Sequence, residues 1–158
     1  MNREILFRGF CAEPGGKEVA FYNGRYNEGY WVEGFLLPFT VNCYEKNFVI
    51  ASGLTADELD YYQPSIDFDE VVPETVGQFT GLYDKNGIRI FEDDIVRETR
   101  HGTIGRIRWT TGGFWCDGMF SSGLGDNLGD VVFDYQLEVI GNVYRNPELI
   151  RKIEESKG

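Results

Sequence analysis

The sequence predicts a mainly β protein of two small sub-lobes with short helices, and three observations predict it. Of 158 residues, 20 are Gly and 15% are Phe, Trp or Tyr, a pairing that suits short strands joined by tight turns. Short apolar runs recur between Asn-Gly, Pro-Gly and Asp-x-x-Gly punctuation. Helix-start signals are few, short and mostly proline-headed.

Glu4 to Phe10 reads as an opening strand, and Pro14-Gly15-Gly16 sends the chain into a loop because Pro lacks the N–H that a ladder needs. Lys17–Tyr22 and Tyr30–Leu37 are the next strands, joined through Asn23-Gly24 as a hairpin with a long tip. In the second, Trp31, Glu33 and Phe35 share one face and Val32, Gly34 and Leu36 the other. Neither face is purely polar, as expected of a strand covered on both sides. Val41–Tyr44 and Asn47–Ala51 form a further hairpin around Glu45-Lys46. Thr55-Ala56-Asp57-Glu58 then has the form of a capping box and predicts a helix over 56–62, stopped by Pro64. Asp57, Glu58, Asp60, Asp67, Asp69 and Glu70 lie in one stretch without a base. Residues 53–72 are therefore read as an acidic connector between sub-lobes at 1–52 and 73–158.

Pro73 at a first helical position, followed by Glu74, predicts one helical turn that Gly77 ends. Phe79–Tyr83 and Ile88–Phe91 flank the turn Asp84-Lys85-Asn86-Gly87, and Ile95–Thr99 and Thr103–Trp109 flank His101-Gly102. In the last of these strands Ile107 and Trp109 share a face, and Arg106 and Arg108 the other. Phe114–Phe120 and Val131–Val139 are read as strands on either side of a Gly-rich loop, Ser121–Asp130. Asn146-Pro147-Glu148 supplies N-cap, N1 and N2 of a terminal helix reaching Glu155, with Leu149, Ile150 and Ile153 on its buried side. The strands of this second half are similar in pattern to small SH3-like barrels.

The charge balance excludes some partners. Twenty-six acids against 15 bases give a net charge of −11, which repels nucleic acid and anionic membranes. Residues 1–70 carry 12 acids and 5 bases (−7), and residues 71–158 carry 14 and 10 (−4). Cys11, Cys43 and Cys116 are widely spaced without a zinc-ligand pattern, as expected of reduced thiols in a cytosolic protein. The first residues lack the apolar core of a signal peptide and no 18-residue apolar run occurs, so neither export nor membrane spanning is expected.

The run Val72-Pro73-Glu74-Thr75-Val76-Gly77-Gln78-Phe79-Thr80-Gly81-Leu82-Tyr83-Asp84-Lys85-Asn86-Gly87 continues through Ile90-Phe91-Glu92-Asp93-Asp94-Ile95-Val96, Gly105 to Trp109, and Leu137 to Pro147. Together these resemble the signature of the YopX-like family of phage and prophage proteins. Phe7-Arg8-Gly9 and Trp31-Val32-Glu33-Gly34 fit that family's opening strands, so the resemblance covers most of the chain in order. It implies a mainly β fold, phage or prophage origin, residence in the cytoplasm of a bacterial host, and assembly into homo-oligomers. It implies no activity. The loop Cys11–Glu28 and the stretch Ser121–Asp130 are long for the family. The signature residues Pro73, Glu74, Thr75, Gly77, Gln78, Phe79, Thr80, Gly81, Asp84, Gly87, Asp94, Trp109, Gly141 and Asn142 are read as structural. Glycines and Pro73 set backbone geometry there, and Phe79, Leu82, Ile90, Ile95 and Val96 supply core.

Neither a catalytic set, a metal site nor a cofactor is expected. His101 sits alone at a hairpin tip and is read as a turn residue. Glu92-Asp93-Asp94 offers oxygens to a cation, but neighbours on a strand point to opposite faces, so an acidic turn into Ile95 is preferred to the metal-dependent hydrolase it would otherwise suggest. Asp84-x-Asn86-Gly87 and Asp126-Asn127-x-Gly129-Asp130 lack EF-hand spacing. Arg97, Arg100, Arg106 and Arg108, with His101, form a candidate interaction surface on one hairpin. Guanidinium groups there fit phosphate, or the protein's own surplus carboxylates at a lobe or subunit contact; a match to the acidic first lobe is preferred. The expectation is a non-enzymatic phage or prophage accessory protein acting through protein–protein contact or self-assembly. Its partner is then a second copy or an unidentified host or phage protein. A nucleic-acid-binding module on the Arg97–Arg108 hairpin is the alternative.

Overall fold

In the computed structural model these local signals become thirteen strands, one 3-10 turn and two helices among the described residues, which are 5–11, 21–22, 25–26, 29–41, 45–55, 65–110, 112–119 and 126–156. In chain order they are β1 (Phe7–Cys11), β2 (Phe21–Tyr22), β3 (Arg25–Tyr26), β4 (Tyr30–Val41), β5 (Glu45–Thr55) and β6 (Ser65–Val71). The 3-10 turn Pro73–Thr75 follows, then β7 (Gly77–Tyr83), β8 (Arg89–Phe91), β9 (Asp94–Glu98), β10 (Ile104–Thr110) and β11 (Gly113–Asp117). The chain ends with β12 (Asp126–Asn127), α1 (Leu128–Asp134), β13 (Leu137–Asn142) and α2 (Pro147–Ser156). Two compact units result: residues 1–20 with 28–78, and residues 21–27 with 79–158.

The first unit is built on antiparallel strands in the order β6-β5-β4-β1. β4 pairs with β1 over Tyr30 to Gly34 and with β5 over Phe35 to Val41. The sequence reading had broken this strand after Leu37 and put a turn at Glu45-Lys46. Instead the strand runs through Pro38, and Glu45 and Lys46 open β5. Pro38 is tolerated because that half of β4 pairs with β5 alone, so a missing N–H leaves no gap in a second ladder. β6 pairs with β5 from Ser65 to Val71, where a solvated connector had been expected. The predicted helix over 56–62 lies outside the described residues. Cys11, Val32, Ile50 and Val71 form this unit's core, with Phe7, Leu36, Phe48 and Val76 packed on it. A Cβ on Gly34 would lie 2.0 Å from the Ala51 carbonyl oxygen, so only Gly lets β4 and β5 approach so closely there.

The second unit carries the β7–β8 pair, the short β2–β3 pair and a sheet in the order β12-β11-β10-β9-β13. That sheet is open, with β12 and β13 as its edges, where a small closed barrel had been the likeness; β12 is only two residues long and the chain leaves it as a helix. Ile90, Val96, Ile107, Phe114, Cys116, Met119, Leu128, Val131 and Leu137 form one buried cluster. α2 lies against β10, and Ile153 on it is buried.

Residues 128–134 are helical, where the sequence reading had a strand from Val131. Two β-branched residues suggested a strand, but the capping chemistry outweighs them. The Asn127 side chain accepts the Gly129 N–H at 2.9 Å, and Asp130 adds an acid to the first turn. Leu128 and Val131, three apart, bury one face of that helix.

Candidate interaction surface

β9 and β10 are joined through the His101-Gly102 turn, in which the Glu98 N–H donates to Thr103 O at 2.8 Å and the Gly102 N–H to Glu98 O at 3.0 Å. Gly102 supplies the left-handed φ of +75°. The Glu98 carboxylate turns inward, 1% exposed. It accepts the backbone N–H groups of Arg100 and His101 and lies 3.1 Å from His101 Nδ1. Burial is the largest influence on this acid and raises its pKa, but the hydrogen bonds together outweigh it and hold the carboxyl below the usual range. His101 is thus a turn residue fastened to a buried acid.

Three of the hairpin arginines meet carboxylates of their own unit. Arg97 Nη2 donates to Glu138 at 2.9 Å, and Lys85 Nζ reaches the same oxygen at 3.3 Å. Those two bonds, Arg97's first, lower the Glu138 pKa. Arg106 donates through Nε at 3.0 Å and Nη2 at 2.5 Å to Asp93 Oδ1, while the Tyr144 hydroxyl donates to Asp93 Oδ2 at 2.6 Å. Arg108 lies 3.4 Å from Asp117, and Arg100 is exposed. Strand pairing accounts for two of these local contacts, because it sets Glu138 opposite Arg97 and places Asp117 opposite Arg106, two positions along from Arg108.

Asp93 is the junction of this region. It holds φ at +66°, a conformation Asp tolerates better than most residues. Its N–H donates to Ile107 O at 2.9 Å and its carbonyl accepts Val143 N–H at 3.0 Å. Asp94, buried beside it, accepts the Phe91 N–H at 2.8 Å. Glu92 and Asp93 therefore form a turn into β9. Among the described residues no group of three or more His, Cys, Asp or Glu side chains is placed to hold a metal ion.

Most signature residues do local structural work. In the first unit Thr75 Oγ1 accepts the Phe10 N–H at 2.9 Å and donates to Val72 O at 2.7 Å, which ties the 3-10 turn to β1. Thr80 Oγ1 donates to Ile90 O at 2.8 Å across the bulge in β7, next to Gly81 at φ +85°. Asp84 accepts N–H bonds from Asn86, Ile88 and Val139, so one carboxylate closes a turn and grips the edge of β13. The Asn142 side chain accepts from Tyr144 and Arg145 N–H, and a Cβ on Gly141 would strike Asn146 Oδ1. Phe79 and Gly77 are buried, Gln78 half-buried, and Pro73, Glu74 and Gly87 exposed. Trp109 is the exception: it stacks edge-on against Phe114 yet is 49% exposed.

Sequence reasoning missed a second surface. On β4, Phe35 is 64% and Leu37 44% exposed. Their pairing partners on β5, Ala51 and Val49, are partly exposed on the same face. Both faces of this strand had been read as covered; the signal available was Glu33, a charge at the next alternate position. Phe133 on α1 is 90% exposed.

Two antiparallel β units, one ending in a helix, with buried hydrogen-bonding signature residues among their ties, define a mainly β protein. A family model described as YopX protein matches residues 35–151, and the chain belongs to that family. Protein EF1440 from Enterococcus faecalis has a similar crystal structure, with a TM-score of 0.54 and 21% identity over 94% of this chain and 99% of that one. That likeness is one of fold. No curated protein matches. Among the described residues no helix is long and apolar enough to cross a membrane.

Proposed function

We propose that the protein is a phage- or prophage-derived accessory protein that acts in the bacterial cytoplasm by protein–protein contact, without catalysis of its own. The observation that carries this reading is the apolar strip on β4 and β5, with Phe35 at 64% and Leu37 at 44% exposure on alternate residues of one face. Large apolar side chains exposed side by side on a sheet mark surfaces that partners cover. The contact takes one of two forms, self-assembly or a host or phage partner. Nucleic-acid binding through the arginine hairpin is the weaker reading, because Arg97, Arg106 and Arg108 already face Glu138, Asp93 and Asp117.

The test pairs light scattering of the purified protein with affinity capture from bacterial lysate, with and without nuclease. The expected result is an oligomer, or a stoichiometric protein that survives nuclease, lost in Phe35→Ser/Leu37→Ser. A monomer that captures nothing would overturn the reading, and capture abolished by nuclease would replace it with the nucleic-acid one.

A further inference from the structure

We infer that Asn86 is a modification site, open to deamidation through Gly87 and held shut by Asp84. Asn-Gly is the pair in which this reaction is least hindered, because Gly87 has no Cβ to obstruct attack on the Asn86 side chain. Both residues are exposed in the turn between β7 and β8. In the reaction the Gly87 amide nitrogen loses its proton and bonds to Asn86 Cγ; the Cγ–Nδ2 bond breaks, and that nitrogen leaves with the proton as ammonia. Water then opens the resulting succinimide at either carbonyl, giving aspartate or isoaspartate. In the folded protein both reacting arms are tied to one residue. The Gly87 N–H donates to Asp84 O at 3.0 Å. The Asn86 carboxamide bonds to the Asp84 carboxylate, which also accepts the Asn86 N–H at 2.7 Å. The Ile88 N–H on the same oxygen at 2.9 Å, the Asp84 N–H on Ile88 O at 2.8 Å and the Lys85 N–H on Leu137 O at 2.9 Å anchor the turn further. Attack therefore waits on a local opening, which is rare where several bonds must break together. The modified turn does not close as before. Isoaspartate adds a carbon to its backbone, and either product puts a like charge where an amide met the Asp84 carboxylate.

The test ages the full chain and a synthetic peptide of residues 82–91 side by side in one buffer at neutral pH, and scores aspartate and isoaspartate at position 86 by peptide mass mapping. The peptide is expected to deamidate, and the folded protein to do so at least about tenfold more slowly. In urea the protein should match the peptide in the same urea. Asp84→Ala, kept at a temperature where a thermal melt shows it folded, should modify faster than the wild type. If that variant does not fold, hydrogen exchange at the Gly87 amide of the wild type takes its place, and exchange slowed alongside deamidation is the expected result. A folded protein that modifies Asn86 as fast as the peptide would overturn the protection, and a peptide that keeps its amide would overturn the site. Equal rates in folded Asp84→Ala and the wild type, or a Gly87 amide that exchanges as in the peptide, would remove Asp84 from its role.

Discussion

Asp84 shows how one side chain holds three pieces of backbone. Burial is the largest influence on its acid and raises the pKa, but the N–H bonds from Ile88, Val139 and Asn86 prevail and hold it below the ordinary value. A carboxyl depressed in the folded state contributes stability above the unfolded value of about 3.9, and that contribution is lost as pH falls through the lower folded value. Asp84→Asn should therefore lose less stability than the wild type between pH 5 and pH 2 in urea-unfolding series, within a lower overall stability. Asp84→Ala strands buried N–H groups and should cost about 3 kcal/mol at pH 7. Cys116 lies in the core of its unit, where burial first and then the Asp126 and Asp117 charges push its thiol up to about 12. Its thiolate is scarce at pH 8, so iodoacetamide should leave Cys116 unmodified in the folded protein and label it in denaturant, as peptide mass mapping would show.

At the scale of elements, the stops and turns were legible and the tracts between them less so. Asp84-Lys85-Asn86-Gly87 closes with Gly87 N–H on Asp84 O at 3.0 Å and Gly87 at φ +78°, as its residue types require. Pro73 and Pro147 each begin a helical segment. The region 128–134 escaped because Val-Val favours a strand in isolation, while its cap and the i, i+3 pair Leu128 and Val131 gain their value only once that face is buried. Asn127→Ala should destabilise the protein by about 1 kcal/mol if this cap holds α1, and a denaturant midpoint unchanged from wild type would count against it. β4 and β5 make the complementary point. Gly34→Ala would push a Cβ into the Ala51 carbonyl and should cost about 1–3 kcal/mol in thermal or urea unfolding, despite the higher strand propensity of Ala.

For the whole molecule the balance of charge sets what approaches it. At −11, with three hairpin arginines facing their own carboxylates, the protein should show no salt-dependent affinity for duplex DNA at low ionic strength, measured by anisotropy. Affinity that weakens with salt and disappears in Arg106→Ala/Arg108→Ala would reverse that expectation. The sequence by itself determined the β class, the turns, the terminal helix, the charge and the family resemblance, because each is written in composition or in residues a few positions apart. Only the tertiary structure decided that Arg97 meets Glu138 across 41 positions, that Asp84 grips Val139 across 55, that residues 65–71 join a sheet, and that Phe35 and Leu37 stay exposed. Pairing and burial depend on which strand lies beside which and in what register. That choice is made by the burial of many side chains at once, so no short stretch of sequence carries it.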